Sequence, residues 1–129
     1  MQTRLTGFSL IELLMAVAIV GILAAIAFPS YQEQIRRGHR AAAQSEMLDI
    51  ANKQAQFLLV NRAYASKAAL TASGYSLPSD VSDRYTYAIT IGAGTVPSYT
   101  ITFTATGSQA ADGNLTLDSS GTKTPVDKW

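Results

Sequence analysis

An uninterrupted apolar segment near the start of the chain constrains its fold more than any other feature. No charged residue occurs over residues 13–32, and the 21 residues from Phe8 to Phe28 contain only two polar side chains, Ser9 and Glu12. As a helix, those residues would span about 31 Å, close to the thickness of the hydrocarbon core of a bilayer. Because the segment is apolar on all sides, it predicts a membrane span or a helix buried against other copies of itself.

The bulk composition fits a concentrated apolar segment and excludes several classes of protein. The 129 residues are 47% hydrophobic and 15% charged, whereas average soluble chains are about 25% charged. There is no cysteine and only one histidine, which excludes disulfides and the usual thiolate or histidine zinc sets. The net charge of +1 implies no large basic surface for nucleic acid.

Helical periodicity continues beyond the apolar segment. Apolar residues recur at three- and four-residue spacing, which predicts an amphipathic helix. They are Leu48, Ala51, Ala55 and Leu58, with Met47, Ile50 and Phe57 widening the stripe. One long helix is therefore expected from about Phe8 to Val60. Proline removes a backbone hydrogen bond and clashes with the preceding turn, so Pro29 predicts a kink or helix break.

The second half of the chain predicts antiparallel strands. Apolar residues alternate mainly with threonine over 85–91 and 99–105, Leu115 and Leu117 indicate a third strand, and a fourth is expected within 122–126. Residues 61–82 are expected to form a loop with a short helix around Lys67 to Thr71. The predicted fold is α+β, a long N-terminal helix packed on a 3–4-stranded antiparallel meander sheet.

The residues around the start of the apolar segment carry the most specific signal. The run Gly7-Phe8-Ser9-Leu10-Ile11-Glu12 resembles the leader junction of type IV prepilins: a glycine, a phenylalanine, and a glutamate that would be fifth in the mature chain. The following residues 21–31, with their helix-softening proline, also look like this type IV pilin family. Residues 42–65 and 113–125 are most similar to PilE-type minor pilins of Gram-negative bacteria.

This resemblance implies a set of processing and assembly residues. In the family, a prepilin peptidase/methyltransferase cuts after the leader glycine and methylates the new amino terminus. Here that implies cleavage after Gly7 and N-methylation of Phe8. The family's glutamate pairs with the amino group of a neighbouring subunit during assembly, which assigns that role to Glu12. The implied function is a structural subunit, major or minor, of a type IV pilus, with no enzyme activity, metal or cofactor.

The resemblance also implies a domain organisation, a location and partners. Residues 1–7 would be the leader, 8–30 the transmembrane and filament-core helix, and 31–129 the globular pilin domain. The protein would lie in the bacterial inner membrane, N-terminus cytoplasmic, and then in a surface pilus that supports motility or adhesion. Its partners would be membrane lipid, other pilin subunits, the prepilin peptidase and the inner-membrane assembly machinery. No specific nucleic-acid site is evident.

Glu12 is the exception inside the apolar segment. A carboxylate within a membrane-spanning helix costs about 2.5–3.5 kcal/mol on the lenient insertion scale, so a partner is expected. No lysine or arginine lies between Arg4 and Arg36, and cleavage after Gly7 would remove Arg4. The Phe8 amino group, its own or a neighbour's, would then be the nearest positive charge. A glutamate that simply stays hydrated near the membrane interface is the alternative.

Other functional classes stay open at this point. A pseudopilin of a type II secretion system shares the same N-terminus. The Ala25-Ile26-Ala27 run also fits the small-x-small rule of signal peptidase, and cleavage after Ala27 would release a soluble binding domain. Two acids in a serine-rich loop, Asp80 and Asp83, are too few for a calcium site and are interpreted as turn formers.

One departure from the family concerns the C-terminal loop. Many such pilins close it with two cysteines, one before the third strand and one just ahead of a terminal tryptophan. Here the corresponding stretches read Asp112-Gly113-Asn114 and Asp127-Lys128-Trp129. We therefore expect strand pairing and packing to hold this loop, with Trp129 as an anchor.

Overall fold

A computed structural model describes residues 7–129. The leader predicted over residues 1–7 lies outside the described residues, except for Gly7. The chain divides into a first unit that ends at Ile35 and a second, Arg36–Trp129, which we call the head. The elements, in chain order, are helices α1 (Leu10–Asn61), α2 (Lys67–Ala72) and α3 (Ser79–Ser82), strands β1 (Tyr85–Ile91) and β2 (Tyr99–Ala105), a 3-10 helix (Gly107–Asp112), strands β3 (Leu115–Asp118) and β4 (Lys123–Thr124), and a last 3-10 turn (Val126–Lys128).

Helix α1 confirms the single long helix that the periodicity predicts, and it does not end at Pro29. Helical structure continues on both sides of this residue, so the expected local break in secondary structure is not found. Proline removes only its own N–H from the helix ladder, and the neighbouring hydrogen bonds can hold the helical path. A bend at Pro29 stays a prediction.

The four strands confirm the predicted meander. They pair antiparallel in the order β1-β2-β3-β4, with Tyr85 opposite Ala105, Phe103 opposite Leu115, and Leu117 opposite Lys123. Along β2 and β3 the apolar residues are buried and the polar residues between them are more exposed. This alternation follows from the period of two in a strand and gives the sheet one apolar face.

The head has its own core, which α1 shares with the sheet. The buried α1 positions are Ala43, Met47, Ile50 and Gln54, spaced by four, three and four residues as one helix face requires. Met47 and Ile50 belong to the stripe that the sequence predicts, whereas Leu48 of the same stripe is 44% exposed. The predicted stripe is therefore confirmed at Met47 and Ile50, and the buried face also includes a polar residue, Gln54, that the pattern left out.

Gln54 is buried because its side-chain amide binds the backbone of the loop that follows α1. Its Nε2 donates to the carbonyl oxygen of Ala65 at 2.7 Å, and the Ala65 N–H donates to its Oε1, also at 2.7 Å. The pair satisfies two backbone groups that the core would otherwise leave without partners. Helix α2, capped by Ser66, confirms the expected short helix, whereas α3 was not predicted.

A group of ion pairs and hydrogen bonds holds the C-terminal segment. We call Arg40, Asp112 and Lys128 the clasp. Asp112 is buried, and its carboxylate lies 2.9 Å from Arg40 Nε and 3.6 Å from Lys128 Nζ. Lys128 Nζ also donates to the Asp112 carbonyl oxygen, and Gln44 of α1 donates to the Lys128 carbonyl oxygen at 2.6 Å. The clasp thus joins the Asp112-Gly113-Asn114 stretch to the C-terminal Asp127-Lys128-Trp129 stretch.

Further polar contacts surround the clasp. The two N–H groups of Gln109 Nε2 are shared among three acceptors: Asp112 Oδ2 at 3.2 Å, the Tyr85 hydroxyl at 3.0 Å and the Arg36 carbonyl oxygen at 3.0 Å. Burial raises the pKa of the Tyr85 hydroxyl. Trp129 packs against the core and donates from Nε1 to the Thr124 carbonyl oxygen at 3.3 Å. The expectation that Trp129 anchors the loop is therefore confirmed, although the clasp was not foreseen.

The turn after β3 depends on the charge of Asp118. Its Oδ1 accepts hydrogen bonds from the Ser120 hydroxyl and from the backbone N–H groups of Ser120 and Thr122. These donors, the Ser120 hydroxyl first, lower the pKa of the Asp118 carboxyl. Because the folded pKa is depressed, the stabilisation is present above the ordinary carboxyl range and is lost as pH falls through the lowered value.

We therefore expect acid to release this turn at an unusually low pH. Amide NMR signals of Ser120 and Thr122, followed during acidification, should shift together with a midpoint below the 3.8 of an ordinary aspartate. An Asp118→Asn variant should lose this transition. A midpoint at the ordinary value would contradict the proposed effect of the hydroxyl and amide donors.

Candidate functional site

The N-terminal segment Gly7–Glu12 forms a defined helix start. Gly7, Phe8 and Ser9 precede the helix, and α1 begins at Leu10, so Ser9 occupies the N-cap position. The Glu12 N–H donates to Ser9 Oγ at 3.2 Å, and the Ser9 N–H donates to Glu12 Oε2 at 3.4 Å. This reciprocal pattern is a capping box, in which two of the otherwise unpaired donors at a helix start find acceptors.

Gly7, Phe8 and Glu12, which the sequence predicts as processing and assembly residues, lie close together at the start of α1, whereas Pro29 lies apart from them. Gly7 and Phe8 are exposed and adjacent, Phe8 is 87% exposed, and Glu12 lies one turn into α1. Pro29 lies much further along the helix and belongs to no common site with them. Cleavage, methylation and pairing at these residues remain predictions.

Ser9 is a functional candidate that the sequence reasoning missed. A serine followed three residues later by a glutamate, just before an apolar run, is the sequence signature of a capping box. The Ser9-Leu10-Ile11-Glu12 run fits this signature. The family resemblance assigns a role only to the charge of Glu12 and to a partner in another subunit, so it does not include Ser9.

The first unit exposes an extensive apolar surface. Its large hydrophobic side chains from Leu10 to Phe28 are between 55% and 78% exposed. By length and composition, α1 is a helix that could cross a membrane. Monomeric soluble proteins rarely expose apolar patches of more than a few hundred Å², and larger ones mark contacts with membrane or protein. The surface therefore needs an apolar environment.

The helix start, the apolar helix and the head's helix-on-sheet core together define a pilin. A family model described as "Type IV minor pilin ComP, DNA uptake sequence receptor" matches residues 29–116, more than half of the chain. A second model, "Prokaryotic N-terminal methylation motif", matches residues 4–28. The chain belongs to the type IV pilin family, within the group that the first model describes.

Curated relatives agree with this assignment. "Fimbrial protein EcpC" of Eikenella corrodens is 34% identical over 119 residues, which cover 90% of this chain and 74% of that protein. A "Fimbrial protein" of Neisseria meningitidis is 34% identical over 100 residues, and "Type IV major pilin protein PilE1" of Neisseria gonorrhoeae is 35% identical over 99. Those two matches cover 74% of this chain but only 55% and 58% of the relatives. No solved structure matches the chain significantly.

Proposed function

We propose that this pilin is inserted in the bacterial inner membrane through α1, processed at Gly7 and assembled into a helical filament through the same helix. The observation that carries the proposal is the contrast between the two units. The head buries its own apolar residues, whereas the described part of the first unit exposes its large ones. Lipid before assembly and neighbouring helices afterwards would both cover that surface. Residues 1–7, 8–30 and 31–129 would then act as leader, filament core and globular domain.

Processing ahead of the helix fits the position of the predicted junction. Gly7 is exposed and non-helical, as a cleavage site must be if a peptidase is to reach its backbone. Cutting there leaves the apolar helix attached, so the product stays anchored. The match of residues 4–28 to the methylation motif supports N-methylation of Phe8. The same match favours cleavage here over release of a soluble domain after Ala27, which lies inside α1.

Glu12 is proposed to pair with the Phe8 amino group of an adjacent subunit. Once α1 is buried among other helices, the carboxylate needs a cationic or donor partner to offset the cost of leaving water. Pairing across subunits would satisfy two charges at once and would favour one axial register between neighbouring helices.

A Glu12→Gln substitution tests this pairing. The variant should be inserted and processed like the wild type, but its incorporation into fibres should fall at least about tenfold, the equivalent of 1.4 kcal/mol. The measurement is the ratio of fibre-bound to processed membrane-bound protein. Asp49→Asn, which changes an exposed acid of the same helix, is the matched control and should assemble normally. Incorporation of the Glu12→Gln variant at wild-type levels would exclude the charge pairing.

Four cations of the head make contacts within it. Lys128 belongs to the clasp, Lys67 donates to the Tyr87 carbonyl oxygen, Arg84 donates to Ser108, and Lys123 lies over the ring of Trp129. These contacts stabilise the head, and the function that we propose for the chain is that of a filament subunit.

A further inference from the structure

The capping box shows that Glu12 has a partner within its own chain before any neighbour arrives. The Ser9 N–H donates to Oε2 of the carboxylate, and Ser9 Oγ accepts from the Glu12 N–H. A free glutamate at a helix start has several rotatable bonds and samples many orientations. In the box, its side chain is turned back toward the N-terminus of its own helix, on the side where Phe8 lies.

Holding the carboxylate in this way leaves it able to bind a second group. An ionised carboxylate has two oxygens and about four acceptor sites, and the contact with Ser9 uses one of them. The helix start also favours a negative charge at this position, because unpaired N–H groups and the helix dipole point toward it. The box therefore presents a charged acceptor, already oriented, to an incoming amino group.

We propose that Ser9 is a positioning residue for assembly, which holds the Glu12 carboxylate ready for the amino group of a neighbouring subunit. This inference rests on the charge pairing proposed above and adds a second residue to it. Preorganisation strengthens binding because fewer orientations are lost when the contact forms. Ser9 acts through Glu12 and does not itself touch the neighbour's amino group.

The chemistry of capping boxes allows positioning to be separated from charge. Threonine at the N-cap and glutamine at the third helical position both support the box. Ser9→Thr therefore keeps the box and the charge, Ser9→Ala removes the box and keeps the charge, and Glu12→Gln keeps the box and removes the charge. The wild type, Ser9→Ala, Glu12→Gln and the variant that combines both substitutions form a double-mutant cycle.

The experiment compares full-length variants expressed in a piliated cell, with incorporation normalised to the processed pool measured by intact mass. We expect Ser9→Ala to reduce incorporation about three- to tenfold when Glu12 is present. It should cause no further reduction in the Glu12→Gln background. Ser9→Thr should remain within about twofold of the wild type, because threonine also caps.

The other outcomes separate the possible failures. A merely structural cap would make Ser9→Ala equally harmful in the wild-type and Glu12→Gln backgrounds, since glutamate and glutamine both support the box, and this result would overturn the positioning role. Normal incorporation of Ser9→Ala, or failure of Ser9→Thr to rescue, would overturn it as well. If Glu12→Gln itself assembles normally, the proposed charge pairing fails too. Loss with Glu12→Gln but not with Ser9→Ala removes the positioning role alone.

Discussion

Replacing Asp112 by asparagine should lower the free energy of unfolding of the head by about 3 kcal/mol, the lower end of the range for breaking a buried ion pair from one side. Asparagine keeps the shape of the side chain but leaves the charges of Arg40 and Lys128 without their shared counter-ion. The side chains of these two residues are only 13% and 25% exposed, so water compensates poorly.

The measurement is chemical denaturation of the full chain in detergent, followed by near-ultraviolet circular dichroism of the tyrosines in the head. Asp127→Asn is the matched control, because this exposed acid precedes Lys128 of the clasp in the last 3-10 turn. It should change the unfolding midpoint very little. Equal effects of the two substitutions would show that the clasp contributes no specific stabilisation.

Replacing Gln54 by methionine should lower the free energy of unfolding of the head by an amount similar to that expected for Asp112→Asn. Methionine fills a similar volume but cannot bind the N–H and C=O groups of Ala65, which is itself buried. Each buried backbone group without a partner costs about 1–3 kcal/mol. Because the N–H and the C=O of Ala65 would both lose their partner, the loss of stability should exceed that of most single surface substitutions.

Two measurements check this prediction. Chemical denaturation should show the loss of stability, and hydrogen exchange should show a specific loss of protection at the Ala65 amide. Gln56→Met, two residues further along α1 and exposed, is the control. If both methionine variants were equally stable, the bidentate contact to Ala65 could not be what holds the loop after α1.

Much of the fold could be predicted because it depends on local periodicity. The alternation of apolar and threonine residues predicts the two long strands, and helical spacing predicts α1. The clasp could not be predicted in the same way. Arg40, Asp112 and Lys128 are distant in sequence and conform to no period, so only the folded chain brings them together.

The sequence patterns do not identify the burial of Gln54 or the capping role of Ser9, and the physical causes differ. Periodicity assigns polar residues to the exposed face, so it excludes a buried glutamine whose partner is backbone and not a side chain. At the N-terminus, the capping-box spacing of Ser9 and Glu12 was present in the sequence. The cost of burying the Glu12 charge predicts a cationic partner, whereas the carboxylate accepts a hydrogen bond from a backbone N–H three residues away.

The clasp has a consequence for how the head reaches its final state. A disulfide bond forms by oxidation of two thiols, so its formation depends on the redox conditions of the compartment in which the chain folds. Ion pairs and hydrogen bonds between Arg40, Asp112 and Lys128 form without electron transfer. The C-terminal segment of this pilin can therefore close under reducing and oxidising conditions alike, with no need of an oxidoreductase, and each closure is freely reversible.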